Sequence, residues 1–305
     1  MATIISIASG KGGVGKSVLA ANLALLLARG GRRVVLADLD VGGADSHILF
    51  GLLHPTATLT DFLERRIERL DEVAQTVTFE PRLRLLPGTG DTLATANMAY
   101  ARKKRLIRHF REMEADVIVA DIGAGTSYHA LDFFLMADHH IAVATPDPTS
   151  VLDLYRFVKL AAIRRVLSGF LARGAMAEAL SERDFASVAE VLSVAGQTEA
   201  DGGALAESAL RTFRPWLIIN RTANGSKVNV LGLRNLLKEY VGGDLALLGE
   251  IPEDRAVERS VRGFLPVAES EPQAPATRAL RAIADRIGHH LPHDRPTAGS
   301  SPLAA

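Results

Sequence analysis

The stretch Gly10-Lys11-Gly12-Gly13-Val14-Gly15-Lys16-Ser17 decides the reading of this sequence. It follows the apolar run Ile4 to Ala8 and leads into Val18-Leu19-Ala20-Ala21-Asn22-Leu23-Ala24, so it reads as strand, phosphate loop, helix. The spacing fits G-x-x-x-x-G-K-[ST]. Glycines let the backbone curl into a nest whose amides point at phosphate oxygens, and the following helix adds its positive end. Lys16 is then placed to reach terminal phosphates, and Ser17 to offer its hydroxyl to Mg²⁺. The expected phosphate cradle is Gly10, Lys11, Gly12, Gly13, Val14, Gly15, Lys16, Ser17 and Val18.

Lys11 is not needed to hold a nucleotide, because the nest and Lys16 already supply donors and charge. It is either a solvated lysine or a cation that reaches phosphates outside its own loop. Swung across a two-fold interface, it would neutralise charge developing on a neighbour's phosphates, where fixed charge gains most in phosphoryl transfer.

Two further strands end in acid. Arg33-Val34-Val35-Leu36-Ala37 reads as a buried parallel strand ending in Asp38-Leu39-Asp40, and Val117-Ile118-Val119-Ala120 ends in Asp121. Carboxylates at the C-terminal ends of such strands lie on the edge where ligands bind. Asp38 and Asp121 are expected to support the Mg²⁺ shell through water, and Asp40 to orient an attacking water. The small-residue loop Gly42-Gly43-Ala44-Asp45-Ser46 can move with nucleotide state, and Gly123-Ala124-Gly125 lets backbone approach a terminal phosphate.

Lys11 to Ser17 resembles the deviant Walker A motif of the MinD/ParA ATPases. Asp121-x-Gly-Ala-Gly, followed by Thr145-Pro146-Asp147-Pro148-Thr149-Ser150, is more similar to FlhG-type members than to MinD proper. The resemblance implies a P-loop NTPase fold: a doubly wound α/β domain with a mostly parallel sheet flanked by helices. It implies ATP and Mg²⁺ as cofactors, an ATP-dependent homodimer bridged by Lys11, and Asp40 as the hydrolytic aspartate. Lys11, Lys16 and Asp40 are thus the expected catalytic set, and Ser17, Asp38 and Asp121 the metal set. Asn220 is implied to contact the base and Arg221 to lie beside it, with Ile251-Pro252-Glu253-Asp254 as the base-enclosing loop. The output implied is spatial regulation, of flagellar placement or number, a division site or a cargo.

Composition sets limits on this reading. At 305 residues and 48% hydrophobic, the chain can bury a sizeable core. Lys+Arg and Asp+Glu are equal at 35 each, so only local patches bear on nucleic acid or membrane, and neither surface is indicated. Absence of cysteine excludes disulfides and thiolate-held iron–sulfur clusters. With no signal segment and no apolar run of membrane-spanning length, a cytoplasmic protein is expected; recruitment to a pole or surface and an activating partner would follow from the resemblance.

The remaining segments read as follows. Leu59 to Leu63 and Leu70 to Val73 are short helices, and Leu83 to Gly88 a strand. Ala101 to Arg111 is a basic helix, its cations on the solvent side opposite Leu106, Ile107 and Phe110. His139-His140 begins a strand, Leu154 to Leu167 is a helix, and residues 168–212 form a helical insertion with a flexible break from Gly196 to Gly203. Val228 to Tyr240 and Thr277 to Leu291 are helices, the latter with an apolar face of Leu280, Ile283, Ala284, Ile287 and Leu291. Residues 1–291 are expected to form one domain, and 292–305 a disordered tail, unlike the amphipathic membrane helix of MinD. FlhG-type members often carry an N-terminal extension for a GTPase partner, whereas here the first strand starts within a few residues of Met1. Two other readings are a nucleotide-gated interaction module with little turnover and an ATP-dependent synthetase acting on a small carboxylate.

Overall fold

In the computed structural model of the chain, the described residues are 1–40, 43–88, 100–170, 183, 185–223, 235 and 245–292. β1 (Thr3–Ala8) feeds the phosphate loop and α1 (Lys16–Arg29), and β2 (Val34–Leu39) follows. A 3-10 turn (Ile48–Phe50), α2 (Leu59–Leu63), α3 (Leu70–Val73) and the hairpin of β3 (Gln75–Val77) and β4 (Glu80–Leu86) come next. Then come α4 (Tyr100–Glu112), β5 (Val117–Ile122), α5 (Tyr128–Leu135), β6 (His139–Ala144) and α6 (Pro148–Phe170). α7 (Val188–Thr198), α8 (Gly202–Arg211), β7 (Trp216–Thr222), β8 (Ala246–Pro252), α9 (Arg255–Arg262), α10 (Val267–Ser270) and α11 (Pro275–His290) complete the described chain.

The strands form one sheet in the order β3-β4-β2-β5-β1-β6-β7-β8. Only the β3–β4 pair is antiparallel. From β1 the chain winds outward to β2, whereas after β5 it crosses to β6 on the other side of β1. The carboxyl end of β1 is therefore the point where the winding reverses, and a crevice opens there.

Alternation within each strand explains the two covered faces. Ile4 and Ala8 of β1, with Val35, Ala37, Ile118 and Ala120, face Leu106 and Phe110 of α4, Phe133 and Phe134 of α5, and Phe157 of α6. Ile5 and Ile7, with Val34, Leu36, Val117 and Val119, face Leu23 and Leu27 of α1 and Ile283 and Ile287 of α11. A strand buried on both faces reads as a continuous apolar run, which is why β1, β2 and β5 stand out in sequence. Helix α1 is buried nearly all round, and its one buried amide is satisfied: Asn22 Oδ1 accepts from the Ala268 backbone N–H at 2.8 Å.

Several expectations need correction. Helix α6 starts at Pro148, six residues before the expected Leu154, and runs to Phe170, so 168–170 are its last turn rather than part of an insertion. The break expected from Gly196 to Gly203 shrinks to residues 199–201, because α7 continues to Thr198 and α8 starts at Gly202. Val188, Val191 and Ala195 of α7 and Ala206 of α8 join the α6 side of the core. The cations of α4 are not all on the solvent side: Lys103 is buried and pairs with Asp132, which Arg164 also holds at 2.9 Å. β2 runs from Val34 to Leu39 and so ends within Asp38-Leu39-Asp40 as expected, whereas β3 was not anticipated. Of the helix expected over 228–240 only residue 235 is described, and it is helical; the rest of that helix and the tail beyond residue 292 lie outside the described residues.

His139 and His140 do open β6, and their rings serve packing. His139 stacks on Trp216 with centroids 4.9 Å apart, and His290 of α11 tilts against the same indole at 5.1 Å. His140 is buried edge-on to Phe134 and Phe213, its Nε2 without a hydrogen-bond partner among the described residues.

Candidate functional site

The phosphate loop spans Ser9 to Gly15 between β1 and α1, at the reversal of winding. Gly15 has φ +87°, and a Cβ there would meet Asn220 Nδ2 at 2.5 Å; glycine alone satisfies both constraints. At Gly10 the limit is space: a Cβ would lie 2.0 Å from the Asp153 carbonyl oxygen in the first turns of α6. The loop is thus gripped by β7 at one end and α6 at the other.

Beneath the loop, Lys16 Nζ donates to Asp121 Oδ1 at 2.6 Å and lies 3.8 Å from Asp40 Oδ2. Strand register produces this cluster, because β2 and β5 pair with Asp38 directly beside Asp121. Burial, with the neighbouring Asp121 charge, holds the Asp38 carboxyl well above the usual carboxylate range. Burial also raises Asp40, with Lys16 working in the opposite direction. Asp38 Oδ1 accepts from the Asp40 N–H at 3.1 Å. Among the described residues no hydrogen bond uses the Ser17 hydroxyl, which leaves it available at the first turn of α1.

Ser46, which sequence reasoning named only as part of a loop, completes the cluster. Its hydroxyl donates to Asp121 Oδ2 and its backbone N–H to Asp38 Oδ2, each at 2.9 Å. The only sequence signal was a serine six residues after Asp40. Lys11 is exposed at the outer lip of the loop, where its Nζ reaches Thr149 Oγ1 at 3.1 Å. Thr149, on the first turn of α6, likewise had no role assigned from sequence.

A cavity of about 970 Å³ adjoins the loop between α1, the end of β7 and the β8–α9 connection. Asn220, Arg221 and the run Ile251 to Asp254 all line it, as do Gly15 and Val18. Asn220 is fixed by donating from Nδ2 to the Val14 carbonyl at 2.7 Å, and Arg221 has φ +57°. Asp254 is committed elsewhere: its carboxylate accepts from the Ala256 and Ala276 N–H groups, capping α9 and tying it to α11. Val257 and Leu280 add apolar wall that sequence reasoning did not identify.

The donor set fits a nucleotide with a divalent cation. Positions Gly12 and Gly13 face open space, as a cradle for phosphate requires. Asp38 and Asp121, side by side on paired strands beneath the loop, offer oxygen donors, the kind a hard cation such as Mg²⁺ takes.

The sequence matches the CobQ/CobB/MinD/ParA nucleotide binding domain over residues 5–267. The chain belongs to that family. It is 27% identical over 286 residues to the antiactivator FleN of Pseudomonas aeruginosa, covering 93% of this chain and 85% of FleN. Against the septum site-determining protein MinD of Bacillus subtilis, identity is 32% over 161 residues, 52% of this chain and 59% of MinD. Among solved structures, MinD of Pyrococcus horikoshii complexed with Mg-ADP superposes with a TM-score of 0.67 at 22% identity, covering 94% of this chain and 96% of that one. The MinD/ParA assignment and its mostly parallel sheet are therefore established, with FleN a relative along almost the whole length.

Proposed function

We propose that this MinD/ParA protein is a Mg²⁺-dependent ATPase acting as a dimerising switch. The cluster of Lys16, Asp121, Asp38 and Asp40 beneath an open glycine cradle carries the reading. Lys16 exchanges Asp121 for the terminal phosphates, and the loop amides hold the remaining phosphate oxygens. Ser17 would hold the cation directly and Asp38 and Asp121 through water; Mg²⁺ there would supply charge to offset that on the phosphates. Asp40, on the open side of Lys16, orients the attacking water. Asn220, Arg221 and the 251–254 loop enclose the base.

Lys11 leaves Thr149 and crosses to the phosphates of a second copy, so only the triphosphate completes both sites. Such an interface is isologous, and nucleotide state sets the balance between monomer and dimer. The names of two relatives support a spatial output: a Helicobacter pylori relative is a flagellum site-determining protein, and MinD of Bacillus subtilis is a septum site-determining protein. One solved MinD structure is a MinC:MinD complex, which supports a protein partner that reads the dimer.

The test is light scattering with ATP, ADP and neither, alongside phosphate release. A dimer with ATP alone, with slow release unaffected by small carboxylates, is the expected result. A monomer under all three conditions would remove the switch. Release that depends on an added carboxylate would make the chain a synthetase, and no single-turnover hydrolysis would make it a binding module.

A further inference from the structure

We propose that Ser46 is a positioning residue for the cation shell, holding Asp121 and Asp38 in the orientation that receives it; the proposal rests on the Mg²⁺-nucleotide reading above. The starting observation is a division of labour on one carboxylate. Asp121 is fully buried on β5, with Oδ1 held by Lys16 and Oδ2 by the Ser46 hydroxyl. Lys16 cannot serve both Asp121 and a phosphate. Once it turns to the phosphates, Oδ1 is free for a water of the cation, and among the described residues Ser46 is the remaining side-chain donor that fixes the plane of the carboxylate.

The same residue reaches the second carboxylate through its backbone. Ser46 N–H holds Asp38 Oδ2, while the Asp40 N–H holds Oδ1. Asp38 and Asp121 sit side by side on paired strands, and one residue from outside the sheet tethers both. Ser46 is 1% exposed, so solvent cannot replace its hydroxyl. Groups that orient a cation's water-holding carboxylates are worth about ten- to a hundredfold in metal affinity. A serine with a purely structural duty in the loop needs no bond to Asp121, because its N–H bond to Asp38 already anchors the segment.

The experiment follows binding of a fluorescent N-methylanthraniloyl-ADP to the full chain, first in EDTA and then along a Mg²⁺ titration. For Ser46→Ala, metal-free affinity should stay within about twofold of wild type, while the Mg²⁺ midpoint rises about tenfold or more. Ser46→Thr, which keeps the hydroxyl, should restore the midpoint. If the alanine chain does not fold, Ser46→Cys, similar in size and a much weaker donor, should show the same rise. An unchanged or lower Mg²⁺ midpoint in the folded variants overturns the role of Ser46 and leaves the nucleotide reading intact. Wild-type binding that is indifferent to Mg²⁺ overturns both.

Discussion

Lys16 and Asp121 meet 2.6 Å apart under the phosphate loop, the lysine 6% and the aspartate 0% exposed. A buried pair adds little over a well-packed apolar pair, but removal of one partner strands the other charge. Lys16→Ala leaves Asp121 beside Asp38 and Asp40 with no cation among them. Urea unfolding should show a loss on the order of 3–5 kcal/mol, in addition to lost nucleotide binding. Asp121→Asn in the same background should recover part of the stability and none of the binding.

The exposed contact between Lys11 and Thr149 predicts a separation of binding from assembly. Lys11→Ala should keep nucleotide affinity within about threefold, because the loop amides and Lys16 remain, and should abolish the ATP-dependent dimer. Asp40→Ala should keep the dimer and trap ATP in it. Light scattering with ATP decides both, and an unchanged dimer in the lysine variant removes the crossing role.

Two glycines of the loop should respond unequally to one methyl group. A Cβ at Gly10 would press on the Asp153 carbonyl, whereas one at Gly12 meets nothing within 4 Å. Gly10→Ala should cost about 2–3 kcal/mol by overpacking. Gly12→Ala should stay within about 0.5 kcal/mol in thermal unfolding.

His140 predicts an acid-sensitive contribution to stability. Burial pushes its imidazole from the ordinary 6.5 down to about 4, with Arg165 and His139 acting the same way and Asp138 against them. Above pH 6.5 the ring is neutral folded or unfolded. Between pH 6.5 and 4 only the unfolded chain takes up the proton, so stability falls as pH falls, and below 4 both forms are charged. The full effect is on the order of 3 kcal/mol. His140→Phe, which suits the Phe134 and Phe213 surroundings, should lack this part of the decline when unfolding is measured across that range.

What the sequence made legible was whatever depends on short-range order. The phosphate loop and the apolar runs ending at Asp38 and Asp121 are local patterns, and the structure brings all three to one edge. The brevity of α2 and α3 was also readable, since their apolar residues stop within one turn. What escaped depended on contacts between distant segments. Lys103 reads as one cation of a basic helix until Asp132, 29 residues away, faces it. Ser46 carries no signal without the register that sets Asp38 beside Asp121, and Thr149 none without the loop lip that carries Lys11. Gly196 and Gly203 suggested a flexible break, yet they let α7 and α8 approach closely, the Cα of Gly203 lying 3.8 Å from where a Cβ of Gly196 would be.

Trp216 gives the chain a built-in optical gauge. It is the only indole in the sequence, and it sits at the opposite end of β7 from Asn220, between two imidazoles. Nucleotide in the crevice cannot quench it by contact across the about 13 Å of strand that separates Trp216 from Asn220. A change in its emission on adding ligand therefore reports displacement carried through β7 or the C-terminal helix, without any attached dye.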